Sequence, residues 1–421
     1  VFGDAGDQNV IKCGSYVGSG STGHEVFLGF EPQWVMVKRT DDTGTWTMFD
    51  AMRGIPTDGN DGRLNANASD AEVTSANWLD LTPTGFKLKT AYSDANKLDS
   101  NYVYMCLRRS DGYVGKPPEL GTGVFAMNTG TSNSDVPTFV SGFPVDFAFN
   151  RAFASSENWW TQSRLTGTKY LIANSTSAEA TSSSNEWDFN NGWYGSTSNH
   201  SNQQSWMWKR HAGFDVVTYE GDGASSRQIP HNLSKIPEMM IVRGRGPDVA
   251  NWYVYHKAMG NGRSINLETT DQQSGVSQAR WDNTTPTSTH FSIGINPNTN
   301  NNDYLAILFS SVDGISKVGS FSGVASASYP LSVTTGFAPR FILIKAYSGV
   351  SGYGWFVWDS LRYSGDDNLK LALNSTAAQD SGTTYQYFND APISTNSTGF
   401  SIVDDGWGST DTIEFMYYAH A

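Results

Sequence analysis

One segment recurs four times along the chain, and this repetition constrains the fold more than any other feature. The copies are WTMFDAMRG from Trp46, WTQSRLTG from Trp160, WYVYHKAMG from Trp252 and WFVWDSLRY from Trp355. Ahead of each copy a proline precedes an apolar stretch, namely QWVMVK after Pro32, VDFAFN after Pro144, EMMIVR after Pro237 and RFILIK after Pro339. Turn residues separate the two stretches, so each pair predicts a β-hairpin. The shared register predicts tandem copies of one unit of roughly a hundred residues.

The composition favours β-structure for this unit. Aromatic residues make up 13% of the 421 residues and charged residues only 16%. β-Branched and aromatic residues between Gly, Asn and Asp turns fit pleated strands better than helices. The sequence therefore predicts an all-β fold of four tandem antiparallel β-sandwiches of jelly-roll or lectin-like type. The predicted repeats 1 to 4 span residues 1–118, 119–212, 213–315 and 316–421.

Charge and hydropathy exclude two classes of partner. The net charge of −13 would repel phosphates, so we expect no nucleic-acid binding. The longest apolar runs, such as YLAILF from Tyr304, are too short to span a bilayer, so we expect no membrane insertion. Linkers are short apart from the proline-bearing spacer Gly115 to Gly121, so a stiff rod or a compact string of repeats is expected.

The two cysteines allow two interpretations. Cys13 and Cys106 fall in the first and last predicted strands of repeat 1, where a disulfide could join them. Two cysteines in so long a chain do not make a disulfide framework, so two buried thiols are the favoured prediction.

The acidic residues suggest turns first and calcium second. Asp50 and Asp359 each precede an arginine by three residues, Arg53 and Arg362, which predicts a local charged turn. The weak calcium candidates are Asp58, Asn60 and Asp61 in one loop and Asp366 and Asp367 in another. Oxygen ligands in a Gly-containing loop suit calcium, but exposed turns select the same residues. No other cofactor is expected, because the histidines and cysteines lack paired zinc-ligand spacing.

Aromatic residues in irregular loops are candidates for sugar binding. Sugars stack their apolar faces on Trp or Tyr rings while polar neighbours bond their hydroxyls. The candidates are Trp187, Trp193 and Tyr194 in NEWDFNNGWYG and Trp407 in DDGWGST. The alternative is that each ring packs within its own sandwich. The recurrent Trp34, Trp46, Trp252 and Trp355 are assigned to the cores.

No catalytic group is predicted. The sequence lacks a G-x-S-x-G elbow and a phosphate-loop lysine pattern. The Asp404 and Asp405 pair precedes Gly406 and suits a turn. We therefore expect a protein that is not an enzyme.

The order of segments resembles a known module. GSYVGSGSTGHEVFLGFEPQWVMVKRTDDTGTWTMFDAMRG, LNANASDAEV, GFKL and NYVYMCLRR in repeat 1 resemble a β-sandwich module of bacteriophage tail and other virion proteins, especially of marine and cyanobacterial phages. Repeat 4 keeps the pattern well, and repeats 2 and 3 keep it less completely. The resemblance implies a virion structural protein of the tail-fibre or adhesin type, assembled in the host cytoplasm. Its implied partners are a host cell-surface glycan or protein, other virion proteins and further copies of itself, with a trimer possible.

Two rival functions stay open at this stage. One is a carbohydrate-binding, lectin-like protein that works outside a particle, which would bind glycans as an isolated chain. The other is a polysaccharide-degrading enzyme, which would need two carboxylates facing each other across a sugar.

Overall fold

The structure is a computed structural model that describes residues 10–109, 114–131, 136–195, 200–248, 251–324, 328, 330–362, 369–379, 393–402 and 413–421. Its strands form several antiparallel sheets and its helices are single short turns, which confirms the predicted all-β class. None of the helices in these ranges is long and apolar enough to cross a lipid bilayer.

Repeat 1 consists of two facing sheets. The larger sheet has the order β1-β8-β3-β4-β5 and the smaller one β2-β7-β6. The strands are β1 (Ile11–Val17), β2 (His24–Phe27), β3 (Pro32–Arg39), β4 (Thr47–Asp50), β5 (Leu64–Asn65), β6 (Leu79–Thr82), β7 (Gly85–Leu88) and β8 (Asn101–Arg108). Val26, Val35, Phe49 and Phe86 are buried between the two sheets. This packing is that of an antiparallel β-sandwich.

The same sheet order recurs in the other three repeats. In each large sheet, the opening strand of the repeat lies beside its closing strand, followed by the strand after the repeated proline (the proline strand), the strand at the repeated tryptophan (the tryptophan strand) and a short strand called the edge strand. The edge strands are β5, β13, β21 and β28. Repeat 2 contains a 3-10 turn (Gly121–Gly123), β9 (Phe125–Thr129), β10 (Phe139–Val140), β11 (Phe147–Ala152), β12 (Trp160–Ser163), a 3-10 turn (Arg164–Thr166), β13 (Lys169–Ile172), β14 (Ala180–Thr181), β15 (Gly192–Trp193) and β16 (Gln203–Trp208). Repeat 3 contains β17 (Phe214–Glu220), β18 (Ser226–Pro230), β19 (Met239–Gly244), β20 (Trp252–His256), β21 (Ile265–Asn266), α1 (Gln278–Trp281), β22 (His290–Gly294), a 3-10 turn (Asn296–Asn298) and β23 (Asp303–Phe309). Repeat 4 contains β24 (Ser316–Ser322), β25 (Leu331–Thr334), β26 (Phe341–Ser348), β27 (Trp355–Asp359), β28 (Leu371–Ala372), β29 (Ile393–Asn396), β30 (Gly399–Ile402) and β31 (Glu414–His420). The predicted domain boundaries stay a prediction.

The predicted hairpins are present. In the hairpin of repeat 2, however, the strand register differs from the alignment of the four tryptophan segments. Ser163 pairs with Phe147 as Asp359 pairs with Phe341, so Ser163 and Asp359 are equivalent. Trp355 lies four residues before Asp359, and the residue four before Ser163 is Trp159. The backbone N–H groups of Trp159 and Trp355 also donate to matching asparagine side chains. The repeated tryptophan of repeat 2 is therefore Trp159, and its alignment on Trp160 was wrong.

Repeats 2, 3 and 4 share a second core on the outer faces of their large sheets. Aromatic rings from each pair of repeats meet there. The ring centroids are 5.7 Å apart for Trp208 and Phe214, 4.6 Å for Phe309 and Tyr418, and 5.5 Å for Phe125 and Phe341. Every residue of the proline strands β11 and β19 is buried, because each strand is covered on both faces. Apolar burial between sandwiches therefore holds these three repeats together.

Matching hydrogen bonds close repeats 2, 3 and 4 into a cycle, called the ring below. The indole Nε1 of each repeated tryptophan donates to the carbonyl of the last edge-strand residue of another repeat. The three bonds run from Trp252 to Ile172 (3.1 Å), from Trp355 to Asn266 (3.0 Å) and from Trp159 to Ala372 (2.8 Å). Three equivalent backbone bonds accompany them, from Glu179 N to Arg245 O (2.8 Å), from Gln273 N to Tyr347 O (2.9 Å) and from Gln379 N to Phe153 O (2.7 Å). The contact is the same at all three junctions, so the ring has approximate threefold symmetry.

The first and last residues of the ring lie next to each other. Gly121, at the start of repeat 2, lies so close to Ala421 that a Cβ on Gly121 would be 2.8 Å from the Ala421 carbonyl oxygen. Ala421 N also donates to Ile315 O at 2.8 Å, which fixes this end of the chain to the junction of repeats 3 and 4.

Repeat 1 lies outside the ring and is attached by a buried ionic cluster. Glu31 accepts two hydrogen bonds from the Arg210 guanidinium, at 2.5 and 2.8 Å. Asp146 of repeat 2 and Asp215 of repeat 3 lie 3.9 and 3.7 Å from the same guanidinium. The cluster thus joins repeats 1, 2 and 3. Repeats 1 and 3, and repeats 2 and 4, also touch, so of the two expected shapes, a stiff rod and a compact string, the rod is wrong.

The absence of repeat 1 from the ring changes the burial of two tryptophans. Trp252 and Trp355 are buried as predicted. Trp34 is only half-buried and Trp46 is exposed. The core assignment of Trp46 is therefore wrong, because the ring contact that buries its equivalents is missing around repeat 1.

Candidate binding cleft

A cleft of about 470 Å³ lies between repeats 1 and 3. Strands β6 and β7 of repeat 1 form one wall, and β17 with the residues after it forms the other. Thr57 and Thr218 bridge the walls through their hydroxyls at 2.8 Å. Lys87 and Glu220 bridge them again with an ion pair of 3.1 Å. This volume lies within the range of small-ligand sites.

Acidic side chains dominate the interior of the cleft. Lys89 Nζ lies 2.5 Å from Asp58 Oδ1 and 3.4 Å from Asp80 Oδ2. Asp58 also donates its backbone N–H to Asp80 at 2.9 Å. Asp303 of repeat 3 lies close enough to the Asp58 carboxyl for each group to change the pKa of the other. Three carboxyls and one ammonium therefore meet where repeats 1 and 3 touch.

The carboxyls differ in their pKa values because their surroundings differ. Burial, reinforced by the neighbouring Asp58 charge, raises the pKa of Asp303 to about 7. Burial and the charge of Asp58 likewise raise the pKa of Asp80. Although burial opposes it, the hydrogen bond from Lys89 lowers the pKa of Asp58. Of the two groups, Asp303 thus has the raised pKa and Asp58 the lowered pKa.

This arrangement suits binding better than sugar hydrolysis. Glycosidase carboxyls stand about 5 to 10 Å apart so that the scissile bond, or a water, fits between them. Here Lys89 bridges Asp58 and Asp80, and Asp58 and Asp303 change each other's pKa, so these carboxyls form one cluster rather than a pair that faces across a sugar. The same carboxyls, with Arg227 and Asn300 on the wall, can bond the hydroxyl groups of a polar ligand.

The calcium candidates of the first loop do not share one set of partners. Asp58 bonds Lys89, whereas Asp61 is buried and accepts the backbone N–H groups of Trp78 and Leu79 at 2.6 and 3.0 Å. Asn60 is exposed. Across the described ranges no group of three or more His, Cys, Asp or Glu side chains is placed to hold a metal. Asp366 and Asp367 lie outside the described residues, so calcium stays a prediction there.

Two of the aromatic candidates for sugar binding lie inside repeat 2. Trp187 and Trp193 stack at 5.2 Å, and both are buried in the core between the sheets. Each indole N–H is bonded within the repeat, to Gly167 O and Ser205 Oγ. Tyr194 is half-buried and is the member of this loop with accessible surface. Trp407, like Asp404 and Asp405, lies outside the described residues, so the glycan assignment stays a prediction.

The predicted charged turns are confirmed. Arg53 Nε lies 2.5 Å from Asp50 Oδ2, and Arg362 Nε lies 2.7 Å from Asp359 Oδ2. Asp50 also accepts the backbone N–H of Arg53 at 2.8 Å, which closes the turn. These aspartates therefore stabilise the end of the tryptophan strand.

Both cysteines are free thiols. Cys13 pairs with Met105 across β1 and β8, so the next residue, Cys106, points to the other face of the sheet. Cys106 is buried, as predicted, but Cys13 is exposed. The prediction of two buried thiols was wrong for Cys13, because none of the described residues of the other repeats packs on this face of the sheet.

Sequence reasoning missed the carboxyls that complete the cleft. Asp80 lies within β6 and Asp303 is the first residue of β23, and neither belongs to a recognised sequence motif. They are more than two hundred residues apart and meet only because repeats 1 and 3 touch. A polar residue within the apolar strand LDLT was the one available signal for Asp80.

Comparison with known families gives one match. A family model described as "Domain of unknown function (DUF7483)" matches residues 7–110 and 125–421. The break between the two matched parts includes the proline-bearing spacer that joins repeats 1 and 2. No match to the chain was found among curated proteins.

Proposed function

Because the chain belongs to the DUF7483 family, whose description names no activity, we propose a function from its architecture. We propose a non-catalytic structural protein of a virus particle, of the tail-fibre or adhesin type. It attaches the particle to a host surface or joins other particle proteins.

The observation that supports this proposal is the ring. Three sandwiches share one aromatic core, and a buried ionic cluster attaches the fourth. Such a body resists deformation, because opening any junction exposes apolar surface and leaves indole N–H groups unpaired. Loops between strands lie at the surface of this body, where recognition can vary while the scaffold stays constant.

Immunogold labelling tests this proposal. Antibodies raised against the purified chain are applied to virus particles and to the soluble fraction from the natural source of the gene. We expect gold on the particles, confined to tail or surface appendages. Protein found only in the soluble fraction, with unlabelled particles, would overturn the assignment.

Carbohydrate binding is the second candidate, and the cleft favours it. Asn300 and Arg227 line the cleft, and neither belongs to a sandwich core. A glycan microarray with the purified chain tests this function. Loss of the signal in an Asn300→Ala, Arg227→Ala variant would support the cleft. Loss only in Tyr194→Ala would place binding in the repeat 2 loop, and no signal from the unmodified chain would remove this candidate.

A further inference from the structure

Among the described residues, repeat 1 presents the ring contact without a partner. Its repeated tryptophan, Trp46, is 38% exposed, against 1%, 0% and 1% for Trp159, Trp252 and Trp355. Ala66 follows the edge strand and is exposed, whereas its equivalents Ala173, Leu267 and Leu373 are buried. The equivalence is set by one backbone bond, from Ala66 N to Trp46 O at 2.9 Å, which recurs in every repeat.

Both sides of the contact are open in repeat 1. On the tryptophan side, the open groups are the Trp46 indole N–H and the Thr40 carbonyl. The Thr40 carbonyl is equivalent to the carbonyls of Phe153, Arg245 and Tyr347. On the edge side, the groups are the Asn65 carbonyl and the Glu72 N–H. The Glu72 N–H is equivalent to the N–H groups of Glu179, Gln273 and Gln379. In the ring these groups bond to one another. Within the described part of the chain, none of the four groups of repeat 1 bonds to another repeat, and the Asn65 carbonyl accepts only the local Ala68 N–H at 3.3 Å.

Among the residues that the structure describes, the outer face of the large sheet is also more exposed in repeat 1 than in the other repeats. Val103 is 37% exposed, while its equivalents Leu305 and Met416 are 2% and 1% exposed. Cys13 is exposed where Val216 and Val318 are buried. Along β3, the residues on this face are half-buried, whereas β11 and β19 are buried throughout. This apolar face corresponds to the one that forms the shared core of the ring.

We propose that three copies of this chain associate through repeat 1 and close a second ring with the contact that joins repeats 2, 3 and 4. The contact is heterologous, since a tryptophan side meets an edge side. A heterologous contact forms a closed ring only when its rotation closes. Within one chain the contact closes after three sandwiches. The same contact between identical repeats therefore gives a symmetric trimer.

Charge and accessibility fit this association. Lys38 occupies the position of Arg151 and Arg243, which donate to loop carbonyls of the neighbouring repeat, such as Thr376 and Thr176. The matching loop of repeat 1 carries the exposed Asp70, while the neighbouring Glu72 already pairs with Arg53 at 2.7 Å, so Lys38 of one copy would meet Asp70 of the next. Repeat 1 contacts its own ring through other residues, including Glu31, Thr57 and Lys87. No described residue of the ring therefore uses the free face. This inference goes beyond the proposed function and does not depend on it.

Light scattering and native mass spectrometry of the full chain test the trimer. We expect a species of about 138 kDa, three times the 46.0 kDa chain, to form as concentration rises from about 1 to 100 µM. A Trp46→Ala, Ala66→Arg variant should stay at the chain mass with an unchanged circular dichroism spectrum, because both residues are exposed. Phe27→Ala is the matched control: this exposed ring is in the smaller sheet of repeat 1, so the trimer should persist.

The reactivity of Cys13 gives an independent readout. Maleimide labelling of Cys13 should slow at least tenfold when the unmodified chain is concentrated, and should stay fast in the double variant. A chain that remains monomeric at about 100 µM would overturn the proposal. So would a dimer, an open-ended polymer, or a trimer that the double variant still forms. None of these outcomes bears on the immunogold result, so the two proposals fail separately.

Discussion

The Glu31 to Arg210 pair is expected to hold repeat 1 against the ring. The two side chains are only 8% and 4% exposed, and two hydrogen bonds join them. Replacing Glu31 with Gln leaves the Arg210 charge buried without this carboxylate. Breaking a buried pair by removing one partner costs about 3 to 5 kcal/mol. Asp146 and Asp215 stay within 4 Å of Arg210, so the lower end, about 3 kcal/mol, is expected.

Hydrogen exchange at the junction measures this loss. The Thr57 N–H donates to Leu165 O across repeats 1 and 2 at 2.8 Å, so its exchange reports opening of the junction. A loss of about 3 kcal/mol raises its exchange rate roughly a hundredfold in Glu31→Gln. Amides of the ring, such as Gln273 N–H, should keep their protection.

Glu220→Gln is the matched control for this experiment. It makes the same chemical change at the junction of repeats 1 and 3, but Glu220 is 42% exposed in its pair with Lys87. An exposed pair contributes about 0.2 to 1 kcal/mol, so the exchange rate should rise less than about fivefold. Equal effects of both variants, or no effect of Glu31→Gln, would refute the reasoning that burial makes the first pair decisive.

Three further predictions concern protonation and the ring. Burial raises the pKa of Asp61 to about 8, above its ordinary value, so the neutral carboxyl favours the fold. The free energy of unfolding therefore falls as pH rises from about 4 through 8. In urea titrations of Asp61→Asn, this loss should vanish. Burial lowers the pKa of His420 to about 3. The stability that the neutral imidazole contributes is therefore complete above about pH 6.5 and is lost as pH falls towards 3. His420→Phe should unfold at lower pH than the unmodified chain, as followed by tryptophan fluorescence. Trp252→Phe leaves the Ile172 and Ser175 carbonyls without their indole donor and should cost about 1 to 3 kcal/mol, whereas Trp46→Phe should cost less than about 0.5 kcal/mol in thermal scans of dilute protein.

Local features of the fold were predictable because neighbouring residues determine them. The apolar stretch after each proline and the tryptophan segment form the expected hairpins, and Asp50 bonds Arg53 as the spacing indicates. The register of repeat 2 was ambiguous, because Trp159 and Trp160 are adjacent and either could continue the pattern. Only the strand pairing distinguishes them.

The ring and the cleft were not predictable in the same way, because they depend on how distant repeats meet. A signal for the ring was nevertheless present in the proline strands. In repeat 4, FILI is continuously apolar, as a strand covered on both faces requires, and this strand is buried almost throughout. In repeat 1, β3 has alternating burial and one free face. The cleft had no comparable signal, since Asp80 is a single polar residue in an apolar strand and Asp303 ends the polar run TNNND, which is typical of any turn.

The meeting of Gly121 with Ala421 means that the ring does not depend on the order of its sandwiches along the chain. In a chain from which repeat 1 and its spacer are removed, a short linker could join these two residues, and new ends could be opened between repeats 2 and 3 or between repeats 3 and 4. Each such circular permutant would contain the same three junctions. What specifies the ring is therefore the complementarity of a tryptophan side to an edge side, and the covalent connections only raise the local concentration of partners that already fit.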